Sequence, residues 1–118
     1  MDYEKMYVDG QWVSGNSRKW IEVLNPFTMQ VFARVPRGDA ADVDRAAQAA
    51  SRAFPAWAAM PLQERIALME KFLLIFQGME QEIIDLEVKE LGAPCSFARI
   101  SHCEYQYTRI RSYIDLAP

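Results

Sequence analysis

Two thiols and one imidazole, Cys95, His102 and Cys103, are the side chains of this sequence with the widest chemical reach. A thiolate attacks carbonyl carbon once a base has taken its proton, and all three groups can ligate zinc. Their spacing argues against both uses. The cysteines are eight apart, make no CxxC pair, and have only His102 beside them, too few ligands for a zinc site. Cys95 follows Pro94 near an expected helix start, where a thiol pKa falls, but no histidine stands at a useful position to serve as base. Cys103 falls on an apolar stripe and reads as a small core hydrophobe. His102 lies next to that stripe, as a surface or half-buried residue does. The carboxylate pairs Asp39/Asp42 and Glu80/Glu82 are accounted for by helix capping and solvation. Glycines 10, 15, 38, 78 and 92 are scattered singly, so no G-x-G-x-x-G phosphate turn follows a strand. Trp12, Trp20 and Trp57 could stack on a ligand, but packing is the commoner role of such rings. No catalytic or cofactor-binding residue is assigned.

The 118 residues suit one small domain or a piece of a larger one, and 51 % apolar with 25 % charged residues is the composition of a folded chain. A net charge of −3 disfavours nucleic acid. The nearest basic cluster, Arg99, Arg109 and Arg111, is interspersed with Glu104 and Asp115 and reads as a solvated helix face. No run approaches the roughly 18 apolar residues of a membrane span. The start, MDYEKMYVDGQW, has no signal-peptide core, so a cytoplasmic location with reduced thiols is expected.

The elements that would position any site change period near residue 38. Before it, "MYVDGQWV" places two β-prone runs around Asp9-Gly10, a strong hairpin signal. "WIEVL" and "QVFARVP" alternate apolar and polar residues around Asn25-Pro26, with Pro36 ending the second run. Two successive hairpins are expected. After it, Asp39 as N-cap and Asp42 three residues on resemble a capping box. Val43, Ala46, Ala47, Ala50 and Phe54 mark one helix face, and Pro55 should end or kink that helix. Pro61 opens a second helix with the stripe Ile66, Met69, Phe72, Leu73 and Phe76, weakened at Gly78 and stopped at Gly92. Pro94 opens a last helix with Ile100, Cys103, Tyr107, Ile110, Ile114 and Ala117 on one stripe. The fold class is therefore an α+β segment, two N-terminal β-hairpins followed by three to four α-helices, with strands over about 6–36 and helices over about 39–117.

The order of these signals resembles a known family. "DGQWV", then "VLNPFTMQVFARVPRGDAADVDRAAQAASRAFPAWAAMPLQER", then "ELGAP" is similar to the N-terminal segment of the aldehyde dehydrogenase superfamily, over Tyr7 to Ala117. The resemblance implies a segment of the cofactor-binding domain, part of an α/β fold whose dinucleotide-binding sheet and catalytic domain are absent from this chain. It also implies NAD or NADP as cofactor of the full-length enzyme and an aldehyde as its substrate. In that family a cysteine attacks the aldehyde, hydride passes to the nicotinamide, and a glutamate-activated water releases the acid from a thioester. Those residues lie beyond the matched segment, so Cys95 and Cys103 are not the nucleophile. Counted from Gly92-Ala93-Pro94, the positions that line the substrate tunnel fall on Ser101 and Tyr105, four apart on one helix face; exposed polar residues are the alternative reading. A monovalent-cation site would match the backbone carbonyls of Val23 and Leu24 together with Glu90. "ELGAP" and "SYIDLAP" depart from the usual Glu-Thr-Gly-Lys-Pro and Tyr-Tyr-Ala-Gly-Trp forms, which leaves the substrate subgroup open.

Three functions are compatible with the sequence. The first is the front part of an NAD(P)-dependent aldehyde dehydrogenase, a truncated fragment inactive alone. The second is a stand-alone, non-catalytic remnant that self-associates or binds a protein partner. The third, a cofactor-binding module, lacks a phosphate loop. Helix stripes without a covering sheet imply self-association into an oligomer or a loosely packed state with intact helices, with Ile100, Tyr107 and Ile114 as the sticky face.

Overall fold

The computed structural model describes residues 3–117, in two compact units that meet in sequence between Ala59 and Met60. In the first unit β1 (Met6–Val8) and β2 (Gln11–Val13) form a hairpin turned by Asp9 and Gly10, at φ 55° and 74°. Positive φ at both turn residues is what a two-residue turn needs to match strand twist, and Asp-Gly supplies it at low strain. Across it the Tyr7 and Trp12 rings meet edge to face, 5.3 Å between centroids. β3 (Lys19–Asn25) and β4 (Gln30–Arg37) form the second antiparallel hairpin. Its loop is held by the Asn25 side-chain oxygen, which accepts from the Phe27 and Thr28 amides at 2.9 and 3.2 Å. Pro36 does not end the run as the sequence suggests: β4 continues to Arg37, with Pro36 opposite Trp20. Antiparallel partners alternate between hydrogen-bonded and non-hydrogen-bonded couples, and a proline without an N–H fits the second kind.

α1 (Ala40–Ala59) starts as the capping box requires. The Ala41 and Asp42 amides donate to Asp39 Oδ1 at 3.0 and 3.1 Å, and the Asp39 amide donates back to Asp42 Oδ2 at 3.1 Å. Pro55 neither ends α1 nor stops it from reaching Ala59. Ala56, Ala58 and Ala59 have the best helix propensity and carry the helix past the lost bond. The expected apolar face is also displaced. Val43 and Phe54 are 68 % and 65 % exposed, whereas Asp42 and Ala49 are buried. Small side chains let α1 approach β1 closely, and Ala46, Ala49, Ala50 and Ala53 line a shallow groove with Tyr7 and Val8.

The second unit is helical: α2 (Leu62–Gly78), α3 (Glu80–Leu91), the single turn α4 (Cys95–Ala98), a π-helical turn over Arg99–Glu104, and α5 (Tyr105–Asp115). Gly78 is the end of α2 rather than a weak middle. Gly92 adopts φ 67°, and its amide caps the Val88 carbonyl at 3.1 Å, so a residue free to be left-handed closes α3. Ile84, Ala98 and Cys103 form the core, with Ile83, Val88, Ala93 and Tyr107 packed around it. Leu73 and Ile114 are also buried, and the Phe76 and Tyr107 rings meet edge to face at 5.2 Å.

The last helix departs from the expected stripe because of its π turn. Its buried positions run Ala98, Cys103, Ile114, so the first step is five residues, the spacing of an i to i+5 turn. Ile100, three residues before Cys103, is thereby rotated out of the core and is 58 % exposed. Tyr107 is half-buried and Ile114 buried, so the expected sticky face is largely interior. Apolar exposure in this unit lies more on α2, at Phe72, Leu74 and Ile75.

Candidate functional site

The segment from Cys95 to Asp115 carries most of the chemistry-bearing side chains, and α3 holds it at two points. Arg99 pairs with Glu80 at the start of α3, and His102 Nδ1 lies 3.5 Å from Glu87 Oε1. The Phe97 ring meets the imidazole edge to face at 6.0 Å. The π turn leaves the Ser101 carbonyl accepting from the Gln106 side-chain amide at 3.3 Å. Ser101 is half-buried within this turn; Tyr105, the first residue of α5, is 58 % exposed. The Arg109 guanidinium lies over the Tyr105 ring at 5.5 Å, within cation–π range. The face thus reads hydroxyl, phenol, guanidinium in four-residue steps. Nothing in the sequence pattern marked Gln106 or the π turn, because an i to i+5 register has no composition signature.

The thiols differ sharply. Cys103 is fully buried, with Sγ 4.0 Å from the Glu80 carbonyl, and burial pushes its pKa upward. A raised thiol pKa means less thiolate and a poorer nucleophile. Burial, followed by the neighbouring Cys103 thiol, pushes the Tyr107 phenol up to about 12, so the cluster is neutral across the physiological range. Cys95 is exposed.

In the first unit the buried charge is Asp42, not a catalytic acid but an anchor. Its carboxylate accepts from the Asn16 amide at 3.1 Å, from the Asp39 amide, and from Arg45 Nη2 at 2.8 Å. Arg45 also donates to the Ser14 carbonyl at 3.3 Å. Sequence spacing revealed only the local capping role of Asp42; the link to Asn16, 26 residues away, is tertiary. The same carboxylates decide whether this strand–Gly38–helix turn could cradle a dinucleotide phosphate. It could not. The first amides of α1 are bonded to Asp39, and a phosphate there would face two carboxylates. This turn does not fit the phosphates of NAD or NADP.

The expected cation ligands fall in both units. Val23 and Leu24 belong to β3, where the ladder to β4 shifts register between them, as a β-bulge does. Glu90 is exposed near the end of α3. Among the described residues, no three His, Cys, Asp or Glu side chains gather as a metal site, and no helix is long and apolar enough to cross a membrane. A cleft of about 470 Å³ opens in the first unit between Glu4, Arg18, Lys19, Trp20 and Pro36.

Comparison with known proteins gives this arrangement its context. Residues 12–118 match the model of the aldehyde dehydrogenase family. A provisionally named aldehyde dehydrogenase of Staphylococcus aureus is 39 % identical over 101 residues, which is 86 % of this chain and 21 % of that protein. Aldehyde dehydrogenase C of Pseudomonas syringae, solved as a mutant with NAD+ and octanal, superposes with a TM-score of 0.92 at 33 % identity, over 97 % of this chain and 24 % of that one. An NAD-dependent benzaldehyde dehydrogenase of Corynebacterium glutamicum gives 0.78 at 35 % identity, over 85 % and 22 %. The chain therefore spans about a fifth of the curated relatives it matches and about a quarter of the solved ones. Two hairpins followed by capped helices are an N-terminal portion of that larger fold, and the chain belongs to the aldehyde dehydrogenase family.

Proposed function

We propose that this chain works as the N-terminal part of an NAD(P)-dependent aldehyde dehydrogenase, which oxidises an aldehyde to a carboxylic acid through a cysteine thioester. The observation that carries this reading is the close superposition on the octanal-bound Pseudomonas syringae enzyme, over almost all of this chain and only a quarter of that one. The reacting cysteine, the water-activating glutamate and the dinucleotide site belong to the part of the enzyme outside these residues. What this chain contributes is scaffold and one wall: Ser101 and Tyr105 face the aldehyde along its tunnel. The buried Cys103 and the anion-filled start of α1 support inactivity of the isolated chain. Two free thiols suit a cytoplasmic setting. Exposed Phe72, Leu74 and Ile75 support self-association of the isolated segment.

The purified chain, given NAD+ or NADP+ and a panel of aldehydes, should produce no reduced cofactor above background. The same residues joined to the remaining three-quarters of the Pseudomonas syringae enzyme should produce it. Turnover by the isolated chain that Cys103→Ala abolishes would overturn the assignment. An unassociated, cooperatively melting chain in light scattering and near-ultraviolet dichroism would remove the self-association claim alone.

A further inference from the structure

The arginines of the last helical segment are not equivalent. Arg99 is matched by Glu80, and Arg111 by Glu70 at 3.1 Å and Asp115 at 4.0 Å. Arg109 has no carboxylate partner among the described residues, and its contact is the Tyr105 ring. A guanidinium lying over an aromatic face is held in place by that face while its in-plane N–H donors stay free, in the fork that matches a carboxylate. The hydroxyls on either side do not occupy it: Thr108 Oγ1 donates to the Glu104 carbonyl at 3.0 Å and Ser112 Oγ to the Thr108 carbonyl at 2.8 Å. Ser101, Tyr105 and Arg109 follow one another at four-residue steps, so the cation continues the face assigned above to the aldehyde tunnel.

We propose that Arg109 is a specificity-determining residue, and that this face selects aldehydes bearing a carboxylate at the end remote from the carbonyl. The inference rests on the tunnel reading of Ser101 and Tyr105 and adds the substrate class. The carboxylate takes the free edge of the guanidinium, and Tyr105 keeps the guanidinium from swinging to solvent. The aliphatic part of the substrate lies along the phenol ring. A neutral aldehyde of equal length leaves Arg109 without that pair and gains nothing from it.

The test compares octanal with 8-oxooctanoate, which has the same chain and a terminal carboxylate. The enzyme is the chimaera carrying this chain in place of the matching segment of the Pseudomonas syringae protein. The ratio of kcat/KM for 8-oxooctanoate to that for octanal should fall about 10- to 100-fold in Arg109→Met, the range for losing a hydrogen bond to a charged group, and be partly restored in Arg109→Lys. The KM for NAD+ should not follow. An unchanged ratio, or equal loss on both aldehydes, overturns the inference. Tyr105→Ala separates it from the parent reading. If that variant shifts preference between small and bulky neutral aldehydes while Arg109→Met leaves the ratio alone, only the anion selectivity is wrong. If Tyr105→Ala leaves the profile flat, the tunnel reading itself falls. Should the chimaera be inactive, Ser101, Tyr105 and Arg109 are grafted onto the matching positions of the intact Pseudomonas syringae enzyme. A gain in the ratio supports the inference there, and no gain overturns it.

Discussion

The two units are of equal length yet cohere by different means. In the first, the buried residues are Ala33, Ala49 and the carboxylate of Asp42, and Asp42 ties the Asn16 loop to the start of α1 through directed hydrogen bonds. In the second, Leu73, Ile84, Ala98, Cys103 and Ile114 are buried, and shape rather than direction holds them. A carboxylate fixes an angle and loses its effect when its donors go; an apolar core tolerates small rotations but not lost volume. The difference sets which changes should damage each unit.

The largest effect belongs to the apolar unit. Ile84 is 2 % exposed in the centre of the core, and Ile84→Ala removes volume that α4 and the π turn cannot refill. A loss of about 2–5 kcal/mol is expected, read as a lower denaturation midpoint and faster amide exchange in α3. A loss below about 1 kcal/mol would mean that the core adjusts, and the contrast between the units would fade.

Next comes the polar anchor. Asp42→Ala leaves the Asn16 and Asp39 amides and Arg45 without their acceptor, for about 1–3 kcal/mol. Asp42→Asn keeps the shape and one acceptor oxygen, so it should recover part of the loss. Equal damage from both variants would indicate that the charge, rather than the bond geometry, is what matters.

The smallest effect is a pH dependence. The Asn16 side-chain hydrogen bond, then the Asp42 amide, hold the Asp39 carboxyl below its ordinary value of 3.8. A depressed folded pKa contributes stability that is present above the unfolded pKa and lost as pH falls through the folded one. Helical dichroism of α1 should therefore weaken only below about pH 4, and Asp39→Asn should flatten that slope. A slope unchanged in the variant would assign the acid sensitivity to other carboxylates.

Short-range chemistry is legible in the amino-acid sequence. Asp9-Gly10 announces its turn, Asp39 and Asp42 their reciprocal cap, and Gly92 its left-handed stop, because each depends on residues within four positions of one another. The failures share the opposite property. Val43 and Phe54 look like a core face, but which face is buried depends on what packs there, and β1 sits against the alanines. Pro55 does not end α1, because the alanines after it outweigh the local rule. Ser101 and Tyr105 come from family resemblance, with no local signal, and the Arg109 stack beside them is visible only once α5 is wound.

The π turn has a consequence for how much the chain can change in length. Four consecutive residues, Arg99 to His102, leave the core between the buried Ala98 and Cys103. An α-helical turn would release only two or three. That extra residue lets Arg99 reach the first residue of α3 while His102 reaches Glu87, about two turns further along, from a single coil. Removing one residue here would rewind the turn to α geometry with Ala98 and Cys103 four apart and still on one face, so the packing of α4 and α5 would survive while the spacing of Arg99 and His102 would shorten. The turn is thus a stored insertion, and the Arg99–Glu80 ion pair and the His102–Glu87 contact are the two grips on α3 that its extra residue sets apart.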